Sequence, residues 1–250
     1  MIERRNAIER LVNERGTVAF QELKAAFPEV SEMTLRTDLK ALDEEGRIVR
    51  VHGGARSIGQ VIGSEGYLSE RSMEHSEAKQ AIAQKAVGLI KPNTTIFLDS
   101  GSTANALASI IPDERMIIFT SGLTCALELA NLKMPQVYVP GGRLNRFSSS
   151  VAGSRTVDVI NQMAFDQFFL GVTGYTPELG ISCGIDEEVS LKRACIERSD
   201  QVIAIMDSSK VGRRSTFSVC DLDRVDIVVS DGELPESFLQ RCSEFGVEVL

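Results

Sequence analysis

The chain has 250 residues, 43% hydrophobic and 25% charged, with 27 basic against 35 acidic side chains and a net charge of −8. That composition excludes a disordered or fibrous chain, and the length suits two domains or one large one. No apolar run approaches the roughly 20 residues that span a bilayer, and MIERRNAIER enters an amphipathic helix without a signal-peptide pattern, so a cytoplasmic protein with no membrane partner is expected.

The first predicted helix covers Glu3 to Glu14, with Ala7, Ile8, Leu11 and Val12 on one stripe and Gly16 as its stop. A short second helix covers Phe20 to Phe27, around Leu23, closed by Pro28. A third begins after Ser31, whose hydroxyl suits an N-cap. In it Leu35, Leu39 and Leu42 recur at i, i+4 and i+7, one buried stripe. Met33, Arg36, Thr37 and Lys40 fall on the opposite face, with Thr34 on its flank. Gly46 stops the helix, and Arg47, Arg50, His52 and Arg56 follow with no acidic residue until Glu65.

A face of cations, hydroxyls and one methionine can lie in a major groove, where bases offer hydrogen-bonding edges and thymine methyls. The same face also fits an ordinary solvated surface. The neighbours favour the groove: three helices with short turns, a ribbon over Arg47–Val51 and a turn at His52-Gly53-Gly54 make a winged helix-turn-helix over residues 1–56. Arg50 and Arg56 of the wing would reach phosphates. Residues 1–56 carry ten basic and ten acidic side chains, so the net charge of −8 lies in the remainder. A neutral domain with a basic strip binds DNA modestly and with steep salt dependence, which favours a homo-oligomer on paired half-sites.

Residues 57–75, with Gly59, Gly63, Gly66 and several serines, read as a linker. From Ser76 the pattern changes. The helix AKQAIAQKAVGLI leads into strands TTIFLD, MIIFTS, QVYVPGG, DQFFLGVTG, QVIAIMD, VDIVVSD and VEVL, with helices near ANALASII, CALELA, VDVINQM, VSLKRACIE and ESFLQRCSEF. Apolar strands alternating with helices over 76–250 signal an α/β domain with a mostly parallel sheet, whose ligands bind beyond the carboxyl ends of the strands.

Polar residues gather at those ends. TTIFL runs into Asp99-Ser100-Gly101-Ser102-Thr103, where small residues and hydroxyls suit an anion; a plain strand-to-helix turn fits equally. Other strand ends carry Ser121-Gly122, Gly141-Gly142-Arg143, Val172-Thr173-Gly174 and Asp207-Ser208-Ser209-Lys210. Together they suit a phosphorylated polyol or sugar. Lys210 can balance a phosphate or pair with Asp207. Glu187 and Glu188 open a helix, where its dipole stabilises them in any case. Walker and dinucleotide fingerprints are absent. The five cysteines form no Cys-x-x-Cys pair, and the only histidines are His52 and His75. No disulfide framework, metal site, catalytic triad or cofactor is therefore expected.

The run V-S-E-M-T-L-R-T-D-L, followed by L-D-E-E-G-R-I-V-R-V-H-G-G-A, resembles the DNA-binding signature of DeoR-type bacterial transcriptional regulators. It matches at Ser31, Thr34, Arg36, Asp38, Leu39, Gly46, Arg50, His52, Gly53, Gly54 and Ala55, and departs at Thr37, where the family commonly has a second arginine. Arg71, Lys79, LDSGSTA, PGGRL, FLGVTG, GIS, EVSLKRA and MDSSKVG resemble the family's sensor domain, similar in fold to ribose-5-phosphate isomerase and the acyl-CoA transferases.

The resemblance implies a regulator, commonly a repressor of carbohydrate metabolism, that binds double-stranded operator DNA as a dimer or tetramer and answers to a phosphorylated sugar. The helix face and the wing, together with the positions that match the family motif, give a DNA-binding set of Ser31, Met33, Thr34, Arg36, Thr37, Lys40, Arg50, His52 and Arg56. The implied effector pocket is Asp99, Ser100, Gly101, Ser102, Thr103, Ser121, Gly142, Gly174, Glu188 and Lys210. The alternative is an isomerase-like enzyme in which Asp99, Glu188 and Lys210 move a proton beside a sugar carbonyl; an isomerase has no need of the N-terminal domain.

Overall fold

The leucine stripe of the third predicted helix decides the first part of the fold. In the computed structural model, which describes residues 2–15, 17–51, 53–57 and 68–250, α3 spans Glu32–Glu44 and buries Leu35, Leu39 and Leu42. Ser31 caps it, its Oγ accepting the Thr34 N–H at 3.2 Å. The leucines pack on Ile8 and Val12 of α1 (Ile2–Arg15) and Leu23 of α2 (Phe20–Ala26). Asp38, 2% exposed, faces α1 and accepts the Nε–H of Arg4 at 2.6 Å and of Arg5 at 3.0 Å. Burial raises its carboxyl pKa, but the two guanidinium groups outweigh burial and hold it below the ordinary range.

The wing differs from expectation. A short strand, β1 (Thr17–Ala19), lies between the first two helices and pairs with β3 (Gly54–Arg56), which also pairs with β2 (Val49–Val51). The ribbon is thus a three-stranded sheet. Gly54 makes that pairing possible, because a Cβ there would stand 2.2 Å from the Val18 carbonyl oxygen. Arg47 precedes the strands and turns inward: its guanidinium donates to Glu9 at 3.0 Å, Asn6 at 2.7 Å and Glu45 at 3.2 Å.

The chain divides into two units, Met1–Gly66 and Tyr67–Leu250. Residues 68–73, read as linker, form helix α4 (Leu68–Met73), whose Leu68 N–H donates to Phe147 O at 2.9 Å. After α5 (Ser76–Val87) comes a parallel sheet of β4 (Thr95–Leu98), β5 (Ile117–Thr120), β6 (Gln136–Tyr138), β9 (Gln167–Gly171), β12 (Val202–Ile205), β14 (Ile227–Val229) and β15 (Glu248–Val249). Its order is β15-β14-β12-β9-β4-β5-β6. Side chains alternate across it. Ile96, Leu98, Ile118, Phe169, Ile203 and Ile205 pack beneath α5, α6 (Ser102–Ala108) and α7 (Leu123–Leu129). Phe97, Phe168, Leu170, Ala204 and Val228 pack beneath α8 (Ser154–Ile160), α9 (Asp186–Glu197) and α10 (Glu236–Phe245).

Two additions have no counterpart in the predicted elements: a hairpin of β7 (Arg143–Asn145) and β8 (Ser150–Ala152), and a small antiparallel sheet of β10 (Gly174–Thr176), β11 (Gly180–Cys183) and β13 (Phe217–Cys220). Strand order reverses between β4 and β9, which opens a crevice at their carboxyl ends.

Asp38→Ala is expected to lower the stability of the first unit by about 1–3 kcal/mol at neutral pH, because two guanidinium groups lose their acceptor. A carboxyl held low in the folded state stabilises above the unfolded value near 4 and loses that contribution as pH falls through the folded value. Urea unfolding of both proteins at pH 7 and pH 3 checks this; the gap between them should narrow at the lower pH.

Candidate functional site

On the outer face of α3, Met33 is 75% exposed, Arg36, Thr37 and Lys40 are exposed, and Thr34 is half-buried. Thr34 Oγ1 stands 2.8 Å from Ser31 Oγ, and Thr37 donates its hydroxyl to Met33 O at 2.9 Å. Lys40 lies 3.6 Å from the Glu44 carboxylate. The Arg36 guanidinium sits 4.4 Å above the Phe20 ring centroid. In the wing, Arg50 and Arg56 are exposed. Register places Arg50 opposite Ala55 and Arg56 opposite Val49. The pleat therefore sends the two arginines to opposite faces, and they do not grip one phosphate together. His52 lies outside the described residues.

In the second unit the carboxylates have protein partners. Asp99, immediately after β4 and 2% exposed, accepts the N–H of Ser100 at 2.8 Å and of Gly171 at 2.9 Å. It also forms an ion pair with Lys192 of α9, whose Nζ donates to Gly171 O at 2.9 Å. Burial alone would lower the Lys192 pKa; the Asp99 charge outweighs it and holds the ammonium above the ordinary lysine value. Asp99 therefore joins β4, β9 and α9 at the switch point and is not an open ligand group. Lys192 was readable in principle: it sits three residues after Val189 and three before Cys195, on the apolar stripe of a helix, where a lysine needs an acidic partner.

Glu188, one turn before Lys192 and 6% exposed, is no solvated helix start either. It accepts the hydroxyls of Ser148 at 2.6 Å and Ser150 at 2.7 Å. Lys210 takes its structural option, 3.5 Å from Asp207. Gly142 and Gly174 are packing glycines: a Cβ would meet Thr156 Oγ1 at 2.2 Å at the first and Arg213 O at 2.3 Å at the second. Gly142 also lines a separate cavity of about 420 Å³ with Arg143, Arg155 and Glu187.

The hydroxyl loop remains. Ser100 and Thr103 are each 9% exposed, and Gly101 takes φ +110°. Ser121, 1% exposed, has a hydroxyl with no hydrogen-bond partner among the described residues, and the adjoining Gly122 packs on Ser100. Arg71 reaches to 4.0 Å from where a Gly101 Cβ would stand. Buried Lys79 donates to the carbonyls of Arg71 and Glu74 at the end of α4. Burial lowers the Lys79 pKa, and the nearby charge of Lys210 lowers it further. Arg71 thus stands beside the Ser100–Thr103 loop, Lys79 holds the end of the helix that carries it, and Lys79 and Lys210 lie close enough to feel each other's charge; Arg71 and Lys79 lie outside the pocket expected from sequence. Among the described residues no cluster of histidine, cysteine and carboxylates can hold a metal, and no helix is long and apolar enough to cross a membrane.

Residues 4–61 match the DeoR-like helix-turn-helix domain, and residues 74–232 match the DeoR C-terminal sensor domain. The chain belongs to the DeoR family. Its relatives include a putative aga operon transcriptional repressor of Escherichia coli O157:H7, 32% identical over 99% of this chain and 93% of the relative. The HTH-type transcriptional regulator GolR of Listeria innocua is 32% identical over 99% and 97% of the two chains. The glycerol-3-phosphate regulon repressor of Escherichia coli K12 is 31% identical, again over 99% and 97%. Among solved structures, ribose 5-phosphate isomerase A of Methanocaldococcus jannaschii is similar over 55% of each chain, with TM-score 0.41 and 14% identity. The DeoR-family chain is a DNA-binding transcriptional regulator, not an isomerase.

Lys192→Met is expected to lower the stability of the sensor unit by about 3–5 kcal/mol, because Asp99 is left buried and uncompensated. Adding Asp99→Asn should restore part of that loss. Equal or greater damage in the double variant, measured by urea unfolding, would show that the charges do not act as a pair.

Proposed function

We propose that this DeoR-family regulator represses a carbohydrate operon in the cytoplasm and is controlled by a phosphorylated sugar or polyol bound at Ser100–Thr103. The observation that carries this reading is the Arg71 guanidinium beside a hydroxyl-rich loop at the sheet's switch point, on a helix whose end is held by Lys79. Arg71, with Lys210 exchanging Asp207 for the ligand, offsets the charge of a phosphate dianion, and Ser100, Ser102, Thr103 and Ser121 supply hydroxyls to its oxygens and to a sugar. Whole-length similarity to a glycerol-3-phosphate regulon repressor supports that ligand class. No cofactor takes part.

The DNA partner is a double-stranded operator read by Met33, Arg36, Thr37 and Lys40, with Ser31 and Thr34 at the helix start and Arg50, His52 and Arg56 from the wing. With charges balanced over residues 1–56, one copy gains little from phosphate attraction. A dimer or tetramer on repeated half-sites supplies the missing affinity. The effector acts through its differing affinity for two arrangements of the protein. Its route begins at α4, which carries Arg71 and whose Lys79-capped end and Leu68–Phe147 hydrogen bond hold the segment nearest the DNA-binding unit in the chain.

A thermal-shift panel of sugar phosphates and glycerol 3-phosphate tests the ligand class. One or more should raise the melting temperature, and Lys210→Ala and Ser102→Ala should each reduce the rise. No shift from any phosphorylated compound, or the same shift in both variants, would contradict the assignment. Arg36→Ala should abolish selective binding to duplexes enriched from a random pool while leaving the melting temperature within a few degrees of the parent; retained selectivity would remove α3 from the groove.

A further inference from the structure

We infer that Phe20 is a positioning residue for operator readout, a shelf that holds the Arg36 guanidinium with its hydrogen-bonding edge turned outward. The inference rests on the groove-facing reading of α3. The guanidinium carbon lies 4.4 Å from the Phe20 ring centroid, within the range of a cation over an aromatic face. A guanidinium laid flat on a ring uses only its face; its N–H donors lie in the plane and are available to the two acceptors of a guanine edge.

The shelf is fixed from two sides. Phe20 packs on the first unit's core, and its backbone N–H donates to Gly53 O in the wing turn at 2.8 Å. Through Phe20, the wing turn and the reading side chain of α3 share one support. The neighbours of Arg36 leave it without an ion pair among the described residues, although Glu32 feels its charge. Glu32, one turn earlier, is taken by Lys24, and Thr37 bends its hydroxyl onto Met33 O. Lys40 has Glu44 beside it, whereas Arg36 makes no ion pair among the described residues. Thr37 stands where the family commonly has a second arginine, so a single guanidinium reads from this part of the helix. Holding it in place before binding removes part of the cost of ordering a long side chain.

The test uses the full chain and a duplex enriched by it from a random pool. Affinity and the effect of each base-pair substitution are measured for the parent, Phe20→Leu, Phe20→Tyr, Arg36→Ala and Phe20→Leu/Arg36→Ala, below each protein's unfolding midpoint. Phe20→Leu should weaken binding about 3–10-fold, the scale of a cation–aromatic contact. It should flatten the base preference at the same step as Arg36→Ala. Phe20→Tyr, which keeps the ring, should retain both, and the double variant should bind no worse than Arg36→Ala. The proposal is overturned if Phe20→Leu binds like the parent, or if it weakens binding as much in the Arg36→Ala background as alone. If Arg36→Ala itself leaves the base preferences intact, the groove reading fails first, and that outcome is distinct from loss of the shelf alone.

Discussion

Lys192 and Asp99 meet inside the sensor domain where the parallel sheet changes direction, and the candidate site is built around that ion pair. Asp99 follows β4, Gly171 ends β9, and the ammonium comes from the middle of α9. Two strands with no direct connection and a helix from later in the chain are thereby held at one point. A buried pair gives little net stability, since desolvation offsets most of the attraction, but losing one partner is costly. Its value lies in position: it sets where the chain leaves β4, and so where Ser100, Gly101, Ser102 and Thr103 present their backbone and hydroxyls. One turn earlier on α9, Glu188 repeats the device with Ser148 and Ser150, fixing the β8 end of the hairpin beside Gly122.

In the DNA-binding unit, charge is divided in a similar way between scaffold and surface. Arg4 and Arg5 are bound to Asp38, and Arg47 to Glu9, Asn6 and Glu45. These cations add nothing selective to a DNA face. Arg10, Arg15, Lys24, Arg36, Lys40, Arg50 and Arg56 remain exposed, and of these Arg36, Lys40, Arg50 and Arg56 lie on α3 and in the wing. Among the described residues Arg36 is the one of these whose guanidinium lies over an aromatic ring.

Much of the fold was legible because its signals are local. The i, i+4, i+7 leucines of α3 and the short apolar runs of the parallel sheet need no distant partner to be read. β1 was hidden because three residues show no periodicity, and its reason for being extended is β3, far along the chain. Arg47 and Arg50 look alike in sequence; only the return of α1 separates a structural arginine from an exposed one. At the sensor site, sequence located the carboxylates of Asp99 and Glu188 and missed what satisfies them, because Lys192 and the Ser148–Ser150 segment approach through tertiary folding. Gly142 and Gly174 show the same limit: at both, the demand for glycine comes from a neighbouring chain atom that would collide with a Cβ.

On the proposed reading, a loop set by a buried ion pair receives an anion, and a helix whose Arg36 guanidinium lies over an aromatic ring reads DNA. Joining the parts makes a thermodynamic claim: ligand and operator must alter each other's affinity by the same factor. The most direct measurement is the dissociation constant of the full chain for its enriched duplex, at fixed salt, with and without the saturating phosphorylated compound that raises its melting temperature. The affinity of that compound for free and DNA-bound protein is measured alongside. A change of about 5–150-fold, equal in both directions, is predicted. An unchanged dissociation constant would contradict the account.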